Sequence, residues 1–143
     1  MTANGYERSS LTGAKSMQIE KMKWITRADV QANPQKLFLF GDNLERVGMG
    51  GQAGAMRYEP NSLGIPTKKT PGVSDPDFFT DVEYDANCET LDRYFETVNS
   101  LGYSTVVIPA DGLGTGLAEL DKRAPKTFAY LEKKLAELET RGD

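Results

Sequence analysis

Two short apolar runs, each followed directly by a glycine-rich stretch, constrain the fold of this chain most strongly. The runs are Lys36 to Phe40 and Tyr103 to Pro109. Apolar runs of this length, bounded by proline or glycine, are typical of strands that are buried on both faces of a sheet. Between them, apolar residues recur at helical spacing from Leu91 to Leu101, and Gly102 stands where a C-terminal cap is expected. This alternation predicts an α/β fold whose central sheet is covered on both faces.

Four further elements are expected along the chain. Thr26 to Asp29 has the spacing of a capping box, which would open a short helix that stops before the next proline. Leu63 to Thr67 is interpreted as a short strand, in which Pro66 must either end the hydrogen bonding or lie at an edge of the sheet. A loop is expected from Lys68 to Asp81, and a last helix from about Lys122 to Leu138.

The first sixteen residues differ in composition from the rest. Residues 1–16 are rich in Ser, Thr, Gly and Asn without periodicity, and Met17 follows as a second possible start. We expect a flexible leader or a cloning remnant there, and one domain over residues 17–143. At 143 residues, a single core of this size needs no disulfide or metal clip.

Composition removes several classes of chemistry. The chain has no histidine and one cysteine, Cys88. These counts exclude Ser-His-Asp and Cys-His nucleophile pairs, His-ligated zinc sites, thiolate zinc clusters and an internal disulfide. Chemistry must therefore come from carboxylates, lysines, hydroxyls, backbone dipoles or the ligand itself. We expect no metal and no cofactor.

The charge balance and hydropathy bear on location and partners. No apolar run is long enough to span a bilayer, and the first residues are polar, so we expect a cytoplasmic protein without a membrane partner. A net charge of -4 argues against a broad nucleic-acid surface, because phosphate binding depends on clustered Lys and Arg.

The glycine loop after the second apolar run has the pattern of an anion cradle. Gly112, Gly114 and Gly116 alternate over five residues. Glycine at this spacing lets successive backbone N–H groups turn toward one concavity, and a nearby helix N-terminus would add donors. The loop would then hold a phosphate or pyrophosphate, with the Thr115 hydroxyl as an extra donor. The alternative is a tight turn that requires positive φ angles.

The glycine cluster after the first run is a second cradle candidate. Gly48, Gly50 and Gly51 form it, and Asn43 precedes it with an amide that could bond a sugar hydroxyl or could simply close an Asx turn. Because ligands of parallel α/β sheets bind beyond the carboxyl ends of the strands, we expect the two loops to flank one cleft.

Two nucleotide-binding motifs fit poorly. A Walker P-loop needs a Lys-Ser/Thr pair after its last glycine, and neither loop has one, which argues against nucleoside-triphosphate hydrolysis. A nominal dinucleotide fingerprint runs from Gly48 to Ala53, but it starts well after the strand that ends at Phe40. Nicotinamide-dependent oxidoreductase chemistry is therefore not expected.

The order and separation of the two loops resemble the macro domain, the ADP-ribose-binding module. The segment Asn43–Met56 is similar to the family's asparagine, glycine cluster and Ala-Gly-Ala helix, and Val107–Leu117 to its strand, proline and Gly-x-Gly-x-Gly loop. Ile65–Lys69 and the helix near Leu91 are similar to the short branch typified by terminal ADP-ribose protein glycohydrolase. The resemblance covers roughly Lys36 to Leu138. It implies a three-layer sandwich with a mixed, mostly parallel sheet.

The resemblance also implies a ligand and its placement. The partner would be ADP-ribose, free or attached to a protein, nucleic acid or metabolite. Asn43 with Gly50 and Gly51 would lie near the distal ribose, and Gly114 to Gly116 would wrap the diphosphate. The full set of expected ligand-binding residues is Asp42, Asn43, Gly48, Gly50, Gly51, Gln52, Gly112, Leu113, Gly114, Thr115, Gly116 and Leu117.

The catalytic residues of the resembled hydrolases transfer less well. Where the larger branch has an aspartate in the helix after its glycines, this chain has Gln52 and Ala53, and the acid of the short branch falls near Ala118. If the protein is a hydrolase, Glu119 or Asp111 would position or deprotonate water.

Each of these candidates has a structural alternative. Lys68 would engage the distal ribose or offset charge, but lysines such as Lys68 and Lys69 are more often solvated surface charges. Glu119 is more simply interpreted as a first-turn acid that favours the dipole of the following helix. An acidic partner for adenine is not recognisable. The alternatives to a hydrolase are a non-catalytic binder of ADP-ribose and a structural domain whose glycine loops are only turns.

Overall fold

The computed structural model describes residues 17–140, so the leader expected at residues 1–16 lies outside the described residues. Two 3-10 turns, Asp75–Asp77 and Asp81–Glu83, accompany the regular elements. No helix in the described range is long and apolar enough to cross a membrane. In chain order the elements are β1 (Gln18–Met22), α1 (Arg27–Ala32), β2 (Leu37–Asn43), α2 (Ala53–Met56), β3 (Ser62–Lys68), α3 (Tyr84–Leu101), β4 (Thr105–Pro109), α4 (Leu120–Arg123) and α5 (Pro125–Thr140).

The four strands form one parallel sheet in the order β1-β4-β2-β3, which confirms the α/β class. The expectation of a mixed sheet is wrong for the described residues, since all three strand pairings are parallel. A helix lies between each strand and the next along the chain. This crossover brings the chain back across the sheet, so that the next strand runs in the same direction as the one before it. The bridge between Lys68 and Phe78, outside the strand pairings, is antiparallel.

The first strand, β1, is an element that the sequence did not predict. It pairs with β4 alone, in a register that sets Gln18 opposite Thr105 and Met22 opposite Pro109. Its side chains are exposed or half-buried, because it lies at an edge of the sheet. A strand so placed needs few apolar residues, so its apolar pattern is weak.

The opposite edge strand, β3, contains the proline that was expected at an edge. Pro66 stands opposite Asp42 of β2, and within the described residues no second strand pairs with β3, whose other side has only the isolated bridge from Lys68 to Phe78. This placement is confirmed, because a proline cannot donate to a second neighbour. The strand extends to Lys68, so the loop expected from that residue begins one position later and contains the two 3-10 turns.

The helix predictions are confirmed in part. The Thr26 hydroxyl accepts the Asp29 amide at the start of α1, which completes the expected capping box. Gly102 ends α3 with a φ of 79°. The last helix, expected from about Lys122 to Leu138, is confirmed as α5, but its expected start is wrong, because α4 ends at Arg123 and α5 begins at Pro125. Proline removes a helical donor in a helix interior but is well tolerated at a first position.

Strand β2 divides its side chains between two hydrophobic clusters. Leu37 and Leu39 belong to the cluster that contains residues of α3 and α5. Phe38 and Phe40 belong to the cluster that contains residues of α1 and α2. Because successive side chains of a strand point to opposite faces, both faces of β2 are buried. The two glycine loops follow β2 and β4, so both lie at the carboxyl ends of the strands.

Candidate functional site

A cavity of about 550 Å³ lies beyond the carboxyl ends of the strands. Residues that follow all four strands contribute to its wall, and its volume is within the range of small-molecule sites. The two glycine loops therefore share one cleft. Of the residues expected to bind ligand or act in catalysis, those that line it are Asp42, Asn43, Gly48, Gly50, Gly51, Gln52, Lys68, Asp111, Gly112, Gly114, Thr115, Gly116 and Leu117.

Two expected site residues do not line the cavity. Leu113 is 1% exposed and packs in the cluster with α3 and α5, where it anchors the second glycine loop. Glu119 precedes α4 with a φ of 49°, and its carboxylate accepts the Arg123 Nε–H at 2.9 Å. The carboxylate of Glu119 is therefore engaged by Arg123, the last residue of α4.

The second glycine loop combines a tight turn with an open surface. Gly112 and Gly114 have φ angles of 91° and 84°, which a residue with a side chain rarely adopts. A Cβ at Gly114 would also lie 3.0 Å from Cβ of Leu120. Gly116 differs, since it has no positive φ and a Cβ there would meet nothing within 4 Å. Backbone geometry thus explains two of the glycines, whereas the lack of a side chain at Gly116 leaves the cavity open.

The extra donors expected for this loop are not free. The Thr115 hydroxyl donates to the carbonyl of Asp111 at 2.8 Å and closes the loop on itself. The helix after each glycine loop has only four residues, so neither offers an extended helix dipole. Anion binding here would depend on backbone amides of the loop.

The first glycine loop approaches the second across the cavity. A Cβ at Gly50 would lie 3.1 Å from Cδ1 of Leu117. Gly48 has a φ angle of 102°, which a residue with a side chain rarely adopts, and Gly51 has a φ of 57°, in the left-handed region that favours glycine. The glycines let the two loops come together without filling the space between them.

Asn43, at the end of β2, has one satisfied and one unsatisfied polar atom. Its Nδ2 donates to the carbonyl of Val47 at 2.8 Å, which closes an Asx-type loop. Its Oδ1 is buried and has no hydrogen-bond partner among the described residues. An unsatisfied buried acceptor costs about 1–3 kcal/mol, so a donor that reached Oδ1 from the cavity would be favoured.

An ion pair that sequence reasoning missed holds the first loop. Arg57 Nη2 lies 2.6 Å from Asp42 Oδ1, and its Nη1 lies 3.1 Å from Oδ2. The same guanidinium donates from Nε to the carbonyl of Gly48 at 2.7 Å. Asp42, expected to contact ligand, is therefore occupied by Arg57. The signal in the sequence was a lone arginine after the small residues of α2.

Gln52 uses its amide to join two parts of the cavity wall. Its Oε1 accepts the backbone N–H of Ile25, and its Nε2 donates to the carbonyl of the same residue, both at 2.8 Å. The amide thereby fixes the segment after β1 beside the first glycine loop. That segment adds Lys23 and Trp24 to the cavity wall, and sequence reasoning assigned neither to the site.

Lys68 occupies the β3 end of the cavity. It is 8% exposed, so the alternative of a solvated charge is wrong. Its ammonium donates to the carbonyl of Gly72 and lies 4.5 Å from the ring centroid of Phe78. Lys69, by contrast, forms a partly exposed ion pair with Glu83 at 2.7 Å.

The remaining chemistry of the wall is limited. Asp111 lies two residues after the end of β4 and is exposed, which makes it the cavity carboxylate that is open to solvent, since Asp42 is buried. Within residues 17–140, no group of three or more Cys, Asp or Glu could hold a metal ion. The cavity thus offers backbone amides, an exposed carboxylate and lysines at its two ends, and the unpartnered Oδ1 of Asn43 is buried in its wall.

Comparison with curated proteins and with solved structures gives no match. One family model matches residues 20–134, a range that includes every residue of the cavity wall. The chain belongs to that family, which is described as a family of unknown function (DUF7831).

Proposed function

We propose that the cavity binds ADP-ribose or an ADP-ribosyl group, as the resemblance to the macro domain implies. The observation that supports this most is that the two glycine loops, expected from that resemblance to hold one ligand, line one cavity together with Asn43. The proposal includes the three-layer macro-like arrangement. It also includes a cytoplasmic location, in which the single Cys88 stays a free thiol.

The order of the strands supports this placement of the ligand. The loop after β4 would receive the diphosphate on its backbone amides, with Gly116 as the point of closest approach. Strand β2 is the neighbour of β4, and adjacent strands lie about 4.8 Å apart. A ribose attached to the diphosphate would then reach the loop after β2, where a hydroxyl that reached the buried Oδ1 of Asn43 would satisfy this acceptor.

Binding without catalysis is the form of this function that the geometry supports best. Glu119 lies outside the cavity wall, and the carboxylate of Asp42 is held by Arg57. Hydrolysis of an ADP-ribosyl linkage is a second candidate, which the exposed position of Asp111 favours. In that case the carboxylate of Asp111 would position or deprotonate the attacking water.

Calorimetric titration with ADP-ribose tests the proposed ligand, and Gly116→Val tests the site. Valine there would add bulk to the cavity wall, whereas a Cβ at this position has no atom of the fold within 4 Å. We expect the variant to lose binding while its melting temperature without ligand is unchanged. Gly116→Ala is the matched control and should keep part of the affinity.

The wild-type protein should also gain about 2.7 kcal/mol of stability at a ligand concentration of one hundred times Kd. Absence of ADP-ribose binding, or equal affinity in Gly116→Val, would contradict the proposal. Incubation with ADP-ribosylated protein and with ADP-ribose 1''-phosphate separates the two forms of the function. Product that is lost in Asp111→Asn would establish hydrolysis, and binding without product would establish a non-catalytic binder.

A further inference from the structure

Trp24 presents a large aromatic side chain on the cavity wall. It is 64% exposed, and it is the one tryptophan of the chain. An exposed indole is a strong candidate for ligand contact when it lies on a cavity, because its flat apolar face gains most from a planar partner.

The backbone that follows Trp24 is held by hydrogen bonds and burial. Ile25, the next residue, is fully buried, and Gln52 bonds both its backbone N–H and its carbonyl. Thr26 then begins the capping box with Asp29. The indole is therefore exposed on a rigid support, which lowers the conformational entropy that binding would cost.

The register of the sheet places Trp24 beside the second glycine loop. Met22 stands opposite Pro109, and its carbonyl accepts the N–H of Ala110 at 2.7 Å. Trp24 lies two residues beyond Met22, and Asp111 lies two residues beyond Pro109. Along the edge of the sheet the order is thus Trp24, the loop after β4, and then Asn43 after β2.

We propose that Trp24 is the platform on which the nucleobase of the ligand stacks. This inference rests on the proposed function and deepens it. The order of wall features along the sheet edge corresponds to the order of groups in ADP-ribose, which is base, diphosphate and distal ribose. With the diphosphate on the loop after β4 and the distal ribose near Asn43, the base lies on the β1 side. Trp24 is the aromatic residue of the cavity wall on that side.

Stacking on an indole is tolerant of base identity, because every base has a planar face. Trp24 thereby explains how the site can hold a nucleoside end although the sequence shows no acidic partner for adenine. The ligand class that follows is a nucleoside diphosphate sugar, with affinity that depends on the presence of a base more than on which base it is.

The single tryptophan makes the test direct. Titration with ADP-ribose should quench the intrinsic tryptophan fluorescence, whereas ribose 5-phosphate, which has no base, should leave it unchanged. Trp24→Ala should weaken ADP-ribose binding about tenfold in calorimetry, equivalent to about 1.4 kcal/mol at 25 °C. Trp24→Phe, which keeps an aromatic face, should stay within about threefold of the wild type. Because the side chain is largely exposed, all three proteins should melt at similar temperatures.

The outcomes separate this inference from the proposed function. ADP-ribose binding with unchanged fluorescence and with equal affinity in Trp24→Ala would overturn the inference and leave the proposed function intact. Failure of the wild type to bind ADP-ribose would overturn both. A third outcome is weaker binding by Trp24→Ala of ADP-ribosylated protein but not of free ADP-ribose. It would also overturn the inference, since Trp24 would then contact the carrier protein together with the exposed Leu117.

Discussion

Asp42 and Arg57 form a two-bond ion pair that is buried beneath the first glycine loop, with both residues 6% exposed. Besides Arg57, the carboxylate of Asp42 accepts the backbone N–H of Asn43 at 2.8 Å. Since the guanidinium also bonds the carbonyl of Gly48, one pair connects the end of β2, the end of α2 and the glycine loop. The shape of that side of the cavity thus depends on Arg57.

Arg57→Met should destabilise the protein by about 3–5 kcal/mol, because it leaves the carboxylate of Asp42 buried without its partner. Urea denaturation measures the free energy of unfolding. The double variant Asp42→Asn with Arg57→Met should recover part of that loss, since it removes the buried charge. A loss below about 1 kcal/mol in the single variant would show that water or another residue takes the place of the guanidinium.

Gly64 provides the space in β3 that the side chain of Asp42 occupies. A Cβ at Gly64 would clash with Oδ2 of Asp42 and lie 2.7 Å from its Cβ. We expect Gly64→Ala to destabilise the protein by at least about 2 kcal/mol, because both strands would have to move. Gly116→Ala is the control and should stay within about 0.5 kcal/mol. Equal effects of the two substitutions would refute the steric argument.

The elements that could be predicted are those whose sequence signal is local. The apolar runs of β2 and β4, the periodicity of α3 with its glycine cap, and the capping box of α1 each depend on residues close together in the chain. Strand β1 could not be predicted in this way, because an edge strand needs few apolar residues and QIEKM has a weak pattern. The start of α5 had a signal in the sequence, because Pro125 has the preference of proline for the first position of a helix.

For the candidate site, the position of the loops could be predicted from the sequence, but the partners of most side chains could not. That the two glycine loops meet follows from topology, since the carboxyl ends of parallel strands lie at one edge of a sheet. The partners of individual side chains do not follow from topology. Arg57 reaches Asp42 from another element, a contact that depends on three-dimensional packing and that spacing along the chain cannot specify. The pair of Glu119 with Arg123 is local, since the two residues lie four positions apart, and it depends on α4 beginning directly after Glu119.

Asn43→Ala should weaken ADP-ribose binding about tenfold and lower the free energy of unfolding by about 1 kcal/mol. The first effect comes from loss of the acceptor Oδ1, and the second from loss of the bond to the Val47 carbonyl. Calorimetry and urea denaturation measure the two effects. Asn61→Ala is the control, because Asn61 is also buried and donates to backbone carbonyls but does not line the cavity. It should lose stability without losing affinity. Equal affinity in Asn43→Ala would remove Asn43 from the binding site.

Asp81 caps α5 from a distant part of the chain. Its carboxylate accepts the backbone N–H groups of Lys126 and Thr127 at 2.8 and 2.9 Å, and also the hydroxyl of Thr127 at 2.9 Å. Burial acts to raise the pKa of Asp81, but these hydrogen bonds outweigh it and lower the pKa below the ordinary 3.8. The folded state therefore favours the charged carboxylate, as a helix N-terminus does.

The lowered pKa of Asp81 determines the direction in which the stability of the protein changes with pH. Because the pKa of Asp81 in the folded protein is below its ordinary value of 3.8, the ionised carboxylate stabilises the protein above pH 3.8. The contribution is lost as the pH falls through the folded pKa. Asp81→Asn keeps an acceptor but never ionises, so the difference in unfolding free energy between wild type and variant should be constant above about pH 5 and shrink below about pH 4. Urea denaturation from pH 7 to pH 2 measures this difference. If the difference stays constant or grows in acid, the ionisation of Asp81 does not contribute to the stability of the folded state.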